Sequence, residues 1–157
     1  MKIKVSILWI LVILLSSGIS SCGIGDRYQP KLASTYTFED VKRVLNEQIV
    51  QWNLGNIDGF MQGYWKSDSL LFITSKGPRY GYQSVSDSYK KNYPSKEAMG
   101  NLRFEVVKIQ WVDKSAGISQ VLGKWHVSDN GKPQSGYFSL IFKNVNNQPK
   151  IVIDHTW

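Results

Sequence analysis

The sequence predicts an α+β fold in which three N-terminal helices pack on a curved antiparallel sheet, and three observations carry that prediction. Between residues 38 and 93 apolar residues recur at spacings of three and four, the repeat of one helix face. From Asn101 onward the repeat changes to two, that of a strand with one buried face. The period-two runs are joined by connections too short for a crossover, so their neighbours run antiparallel. Helices followed by such a meander form an α+β architecture, and a sheet folded round helices in this way leaves a cone-shaped cavity open at one end.

The chain opens with a segment of different character. Lys2 and Lys4 precede an uncharged apolar run at 5–15 (VSILWILVILL), and 16–21 are small and polar apart from Ile19. A membrane-spanning helix needs about 20 apolar residues, so this run is short for a span and suits a signal peptide. The closing Ile19-Ser20-Ser21-Cys22 resembles the lipobox of a bacterial lipoprotein signal peptide. That resemblance implies a leader at 1–21, a lipid on Cys22, and a bacterial cell-envelope protein held to a membrane at its periplasmic or outer face. An uncleaved anchor, or a secretory signal followed by a chance cysteine, is the alternative.

Removing the leader leaves 136 of 157 residues, enough for one domain with its own core. The two leader lysines leave with it, and the net charge falls from +7 to +5. An excess of that size serves solubility or attraction to anionic head groups; no nucleic-acid partner is expected of an exported chain. Cys22 is the sole cysteine, so no internal disulfide can form. Residues 22–36 are polar, contain Gly and Pro and lack an apolar repeat, which reads as a flexible tether reaching roughly 20 Å.

The domain then occupies 37–157. Thr37 with Asp40 makes a capping box, and Phe38, Val41, Leu45, Ile49 and Trp52 draw one stripe along the first helix, which Gly55 ends. Asn56 caps a second, short helix whose Ile57, Phe60, Met61, Tyr64 and Trp65 share a face. A strand at 70–74 follows, then a turn bracketed by Gly77, Pro78 and Gly81. Ser84 with Asp87 repeats the capping pattern for a third helix carrying Val85, Tyr89 and Tyr93, which Pro94 closes. Four strands at 102–112, 117–128, 134–143 and 150–157 complete the meander, separated by turn-rich segments.

Trp52 with Gly55-Asn56-Ile57-Asp58, then Tyr80-Gly81 ahead of Tyr89 and Tyr93, stand in an order that resembles a known group. Gly123-Lys124-Trp125, Gly136-Tyr137-Phe138-Ser139-Leu140 and the closing run from Ile151 to Thr156 continue it. Together they resemble the nuclear transport factor 2-like superfamily, and within it the SnoaL-like group of small bacterial domains. The chain departs from that group's pattern at Pro149, where an aromatic is common, and at Trp157, where a small polar residue is usual. The resemblance implies a cone-shaped barrel with a pocket, often paired as a homodimer through the sheet. The same fold carries isomerases, dehydratases, cyclases and association modules, so function must be argued from side chains.

Asp154-His155 is the most suggestive pair, but strand neighbours point to opposite faces and cannot form one dyad. A hairpin centred near Gly131 sets Trp125 opposite Tyr137, and one centred near Asn146 sets Asp154 near Ser139. Trp125, Tyr137, Ser139, Asp154 and Thr156 then share one face, and His155 joins Phe138 and Leu140 on the other. A slip of one residue in either turn exchanges these assignments. Placed in an aromatic pocket, Asp154 or His155 would have a displaced pKa and could move protons, with Tyr64, Tyr89 or Tyr137 as donor. Otherwise Asp154 accepts hydrogen bonds at the sheet's end and His155 is a satisfied side chain.

His126 and His155 are the only histidines, without clustered acids or a second cysteine, so neither metal nor cofactor is expected. No phosphate-cradling glycine loop or nucleophile elbow occurs. Trp52, Trp65, Trp111 and Trp125 suit either a ligand cavity or an ordinary core. Three functions follow: binding of a small apolar or aromatic molecule in the cone, an interaction module docking through its sheet, or a cofactor-independent lyase or isomerase.

Overall fold

The computed structural model describes residues 36–128 and 133–157. The expected leader, Cys22 and the expected tether before Tyr36 lie outside these residues, as does the segment 129–132, where a turn is expected. Among the described residues four helices, α1 (Phe38–Asn53), α2 (Ile57–Met61), α3 (Tyr82–Asn92) and α4 (Lys96–Met99), combine with six strands. The strands are β1 (Leu71–Thr74), β2 (Gly77–Tyr80), β3 (Asn101–Asp113), β4 (Ile118–Ser128), β5 (Gln134–Val145) and β6 (Gln148–Thr156). They form one sheet in the order β2-β1-β6-β5-β4-β3. The fold is α+β with the helices held inside a curved sheet. The sheet is mixed rather than wholly antiparallel, because β1 runs parallel to β6.

α1 begins where its chemistry requires. The Thr37 hydroxyl accepts from Asp40 N, and the Asp40 carboxylate accepts from Thr37 N at 2.8 Å. These bonds and neighbouring Arg43 hold the Asp40 carboxyl down at about 2. Val41, Val44, Leu45, Gln48 and Trp52 are its buried face. Two polar clips fix this helix to the start of the meander. The Trp52 indole donates to Met99 O at 3.0 Å, and the Asn53 amide both donates to Leu102 O and accepts from Leu102 N.

Three local expectations need correction. Residues 77–80 form a strand, not a turn: β2 pairs antiparallel with β1 through a two-residue connection, and Pro78 is tolerated because β2 is an edge. α3 starts at Tyr82, two residues before the Ser84 expected as its cap; Gly81, at φ 84°, precedes it without a side-chain cap. The short helix α4, capped by Ser95, fills a segment given no element.

The meander bends at bulges between Val106 and Lys108 and between Trp111 and Asp113 on β3, and again on β6 beside Ile141 and Phe142. Each inserted residue increases local twist, which closes the sheet toward a cone. Phe142, Ile151, Leu45, Met61 and Val121 fill the narrow end. There too the chain enters: the Tyr36 hydroxyl meets Ser119 Oγ at 2.7 Å and donates to Phe142 O, and its ring lies 5.1 Å from that of Trp111. Among the described residues no helix is long and apolar enough to cross a membrane.

Candidate ligand cavity

At the wide end the helices and sheet do not meet, and a cavity of about 230 Å³ remains. Gln48, Trp52, Phe60 and Tyr64 wall it on one side, with Tyr89 of α3 and Tyr93 just after it. Phe72, Phe104, Trp125, Phe138 and Leu140 supply much of the sheet side, and Thr74, Ser88, Asn92 and Thr156 are polar members of the lining. The rings pack edge to face: Trp52 stands 5.2 Å from Phe60 and 4.8 Å from Tyr93, and Phe60 stands 5.2 Å from Tyr89. Such edge-to-face pairs are the favoured geometry for neighbouring rings.

Asp154 is the one acid among the described lining residues, and none of them is Lys, Arg or His. It reaches the cavity because of the bulge on β6. Val145 pairs with Gln148 across Asn146-Asn147, both at positive φ (51° and 64°), as a two-residue hairpin of left-handed residues requires. That register alone sets Asp154 opposite Ser139. One extra residue on β6 moves it opposite Leu140 and turns its carboxyl inward.

The partner of Asp154 is positioned by a separate device. Trp65 N donates to Ile151 O and Ile151 N donates to Gly63 O, both at 2.9 Å, so the chain after α2 grips β6 on either side of Tyr64. The Tyr64 hydroxyl then donates to Asp154 Oδ2 at 2.7 Å. Asp154 is only 5% exposed and its Oδ1 has no partner. Burial pushes this carboxyl up to about 7, against the opposing pull of the Tyr64 hydrogen bond. Burial and the nearby Asp154 charge likewise drive the Tyr64 and Tyr89 phenols upward, and burial alone raises Tyr93. These hydroxyls stay neutral donors at physiological pH. A second orphan is the Trp125 indole Nε1, buried without a partner.

Of the residues singled out from sequence, Tyr64, Tyr89, Trp125 and Asp154 line the cavity together. Tyr137, Ser139 and His155 do not. β5 is turned over relative to expectation, because Trp125 pairs with Gly136 and Asp154 with Leu140. Phe138 and Leu140 therefore face inward. Ser139 instead accepts from Gln120 on the outer face, and His155 is exposed there against the Trp157 ring at 4.8 Å. Tyr137 also lies outside, under Lys124 Nζ. Trp111 packs at the narrow end with Tyr36 and Phe38, away from the cavity.

Phe72, Tyr93, Phe104, Phe138 and Gln48 went unrecognised as lining. The alternation Phe138, Leu140, Phe142 was the signal for the β5 residues; pairing of Phe72 with Asp154 is visible only in three dimensions. Among the described residues no three His, Cys, Asp or Glu side chains gather as a metal site.

No family model matches this sequence, and no curated protein matches it. Solved structures do. An NTF-2 like protein of unknown function from Shewanella oneidensis MR-1 is 31% identical with a TM-score of 0.73, over 76% of this chain and 97% of that one. An NTF2-like superfamily protein from Salmonella enterica shares 15% identity at TM-score 0.58, over 76% and 88% of the two chains. A ketosteroid isomerase-like protein from Erwinia carotovora shares 8% identity at TM-score 0.58, over 75% and 92%.

Proposed function

The chain belongs to the nuclear transport factor 2-like family, and from that premise we propose that its cone binds a small, mainly apolar or aromatic molecule carrying one polar group. The observation that carries this reading is the orphaned Oδ1 of Asp154, buried at the wall of an otherwise aromatic cavity. A buried polar atom without a partner is costly, and native proteins rarely keep one that nothing ever satisfies. The volume supports the reading: an apolar cavity of about 150 Å³ takes benzene, and this one, at about 230 Å³, has room for a ring with a short substituent.

Native mass spectrometry of the protein purified gently from its own host tests the proposal. A retained small molecule is the expected result. A clean apo mass, together with no saturable quenching of tryptophan fluorescence by added 2-naphthol, would refute it, since Trp52 and Trp125 both line the cavity.

A second reading, cofactor-independent proton transfer of the lyase or isomerase kind, is favoured by one observation. A carboxyl standing near 7 beside a neutral phenol can take up or release a proton at physiological pH. Turnover that survives Asp154→Asn would sink it. Within the family we place the chain in the SnoaL-like group, on the local sequences around Trp125, Phe138 and Asp154. We also propose a lipid on Cys22 that holds the domain at the bacterial envelope, supported by the leader alone. Pairing of two copies through the sheet is the third element. Tyr137 and Trp157, 43% and 51% exposed and stacked 6.1 Å apart, are the aromatic surface such pairing would cover.

A further inference from the structure

We infer that the molecule held in the cone is an organic cation, a protonated amine on an aromatic or aliphatic body. Its N–H group meets the free oxygen of Asp154 while its body lies against the aromatic walls. The inference rests on reading the cone as a ligand site and goes further by fixing the ligand's charge.

Three features of the cavity point the same way. The Asp154 carboxyl has one oxygen engaged by Tyr64 and one oxygen free, so it can accept one more hydrogen bond. Among the described residues no cationic side chain lines the cavity to balance it. A buried carboxylate in that position takes either a proton or a positive charge from outside, and only a ligand can deliver the second. The walls add to this. Trp52, Phe60, Phe72, Phe104 and Trp125 present π-systems, whose negative faces attract ammonium groups within about 6 Å. An anionic ligand would be opposed by both the carboxylate and the rings. A quaternary ammonium would suit the rings but leave Oδ1 without a donor, so an amine bearing N–H fits best.

The groups facing Asp154 are Tyr64 from the segment after α2, Tyr89 from α3, Phe72 from β1 and Leu140 from β5. Tyr64, Tyr89 and Tyr93 are all shifted upward and none changes charge near neutrality. Asp154, standing near 7, is therefore the cavity group that titrates between about pH 6 and pH 8. An alkylamine remains protonated across that range. Cation binding should strengthen as pH rises, while binding of a neutral isostere should not.

The test compares 2-phenylethylammonium with 2-phenylethanol, which match in shape and differ in charge. Each is titrated into the full-length, detergent-solubilised protein, at about pH 6 and pH 8, and read by tryptophan fluorescence and calorimetry. The ammonium is expected to bind at least about tenfold more tightly than the alcohol at the higher pH. That advantage should shrink at the lower pH and vanish in Asp154→Asn. Should the variant fail to fold, the wild-type pH comparison decides alone. If the alcohol binds as tightly as the ammonium at both pH values, the cation inference fails and the cone remains a ligand site. If neither probe binds, the inference falls, and the 2-naphthol titration shows whether the cone reading falls with it.

Discussion

Asp154→Asn should destabilise the protein at acid pH and stabilise it at alkaline pH. The carboxyl stands near 7 in the folded protein against an ordinary 3.8, and the group is almost wholly buried. Each pH unit of that gap corresponds to about 1.4 kcal/mol, so ionising Asp154 costs the native state about 4 kcal/mol. The folded protein holds this proton more tightly than the unfolded chain does. Stability from this group is thus fully present below about pH 4 and is lost as pH rises to about 7. Asparagine abolishes the titration. Its amide oxygen still accepts from Tyr64, but its NH2 lacks a partner, at a cost of about 1–3 kcal/mol. The variant should therefore be less stable than wild type by about that amount near pH 3.5, close to it near pH 5, and more stable by about 1–3 kcal/mol near pH 8.5. Urea unfolding at intervals across that range measures both proteins, and subtracting the two profiles cancels every other titrating group. Parallel profiles with no crossing would refute the claim that an uncompensated buried carboxylate sits in the cone.

Thr37→Ala removes the oxygen that caps α1 and should lower stability by about 1 kcal/mol in the same urea assay. Gly136→Ala adds a methyl group where Trp157 O and, at 2.8 Å, Trp125 Nε1 already stand. It should displace the indole, shift the tryptophan emission and weaken 2-naphthol uptake; unchanged emission would show the site to be more compliant than drawn. Cys22→Ser should release the protein from membranes into the soluble fraction while leaving its urea midpoint unchanged. Continued membrane association would refute the lipid anchor.

Most of the fold was legible because each α1 signal agreed with the others: cap, stripe and stop all name one helix. Where signals conflicted, the reading failed. Gly77 and Pro78 carry turn chemistry, yet they pair with Thr74 and Ile73 because an edge strand needs no donor on its outer side. Gly81 displaced the expected cap of α3, because a residue at positive φ ends one segment and starts the next without side-chain help. The site was half legible for a related reason. Strand faces follow from pairing, and pairing from turns and bulges. The second hairpin was centred within a residue of its place, but the inserted residue on β6 has no sequence mark. Across the first hairpin the register differs by one residue, Trp125 pairing with Gly136 and not Tyr137. Both errors fell on β5, so Trp125, Asp154 and Thr156 still share one face, while Tyr137 and Ser139 exchanged places with Phe138 and Leu140.

The docking of Tyr36 has a mechanical consequence. Its hydroxyl is fixed beside Ser119 on β4, six residues along that strand from Trp125 at the cavity. At about 3.3 Å per residue the two points lie about 20 Å apart, at opposite ends of the sheet. A pull on the chain before Tyr36 thus reaches the domain at the end remote from the cavity. That load falls first on the packing of Tyr36 against Trp111 and Ser119, and only through the length of the sheet on Asp154.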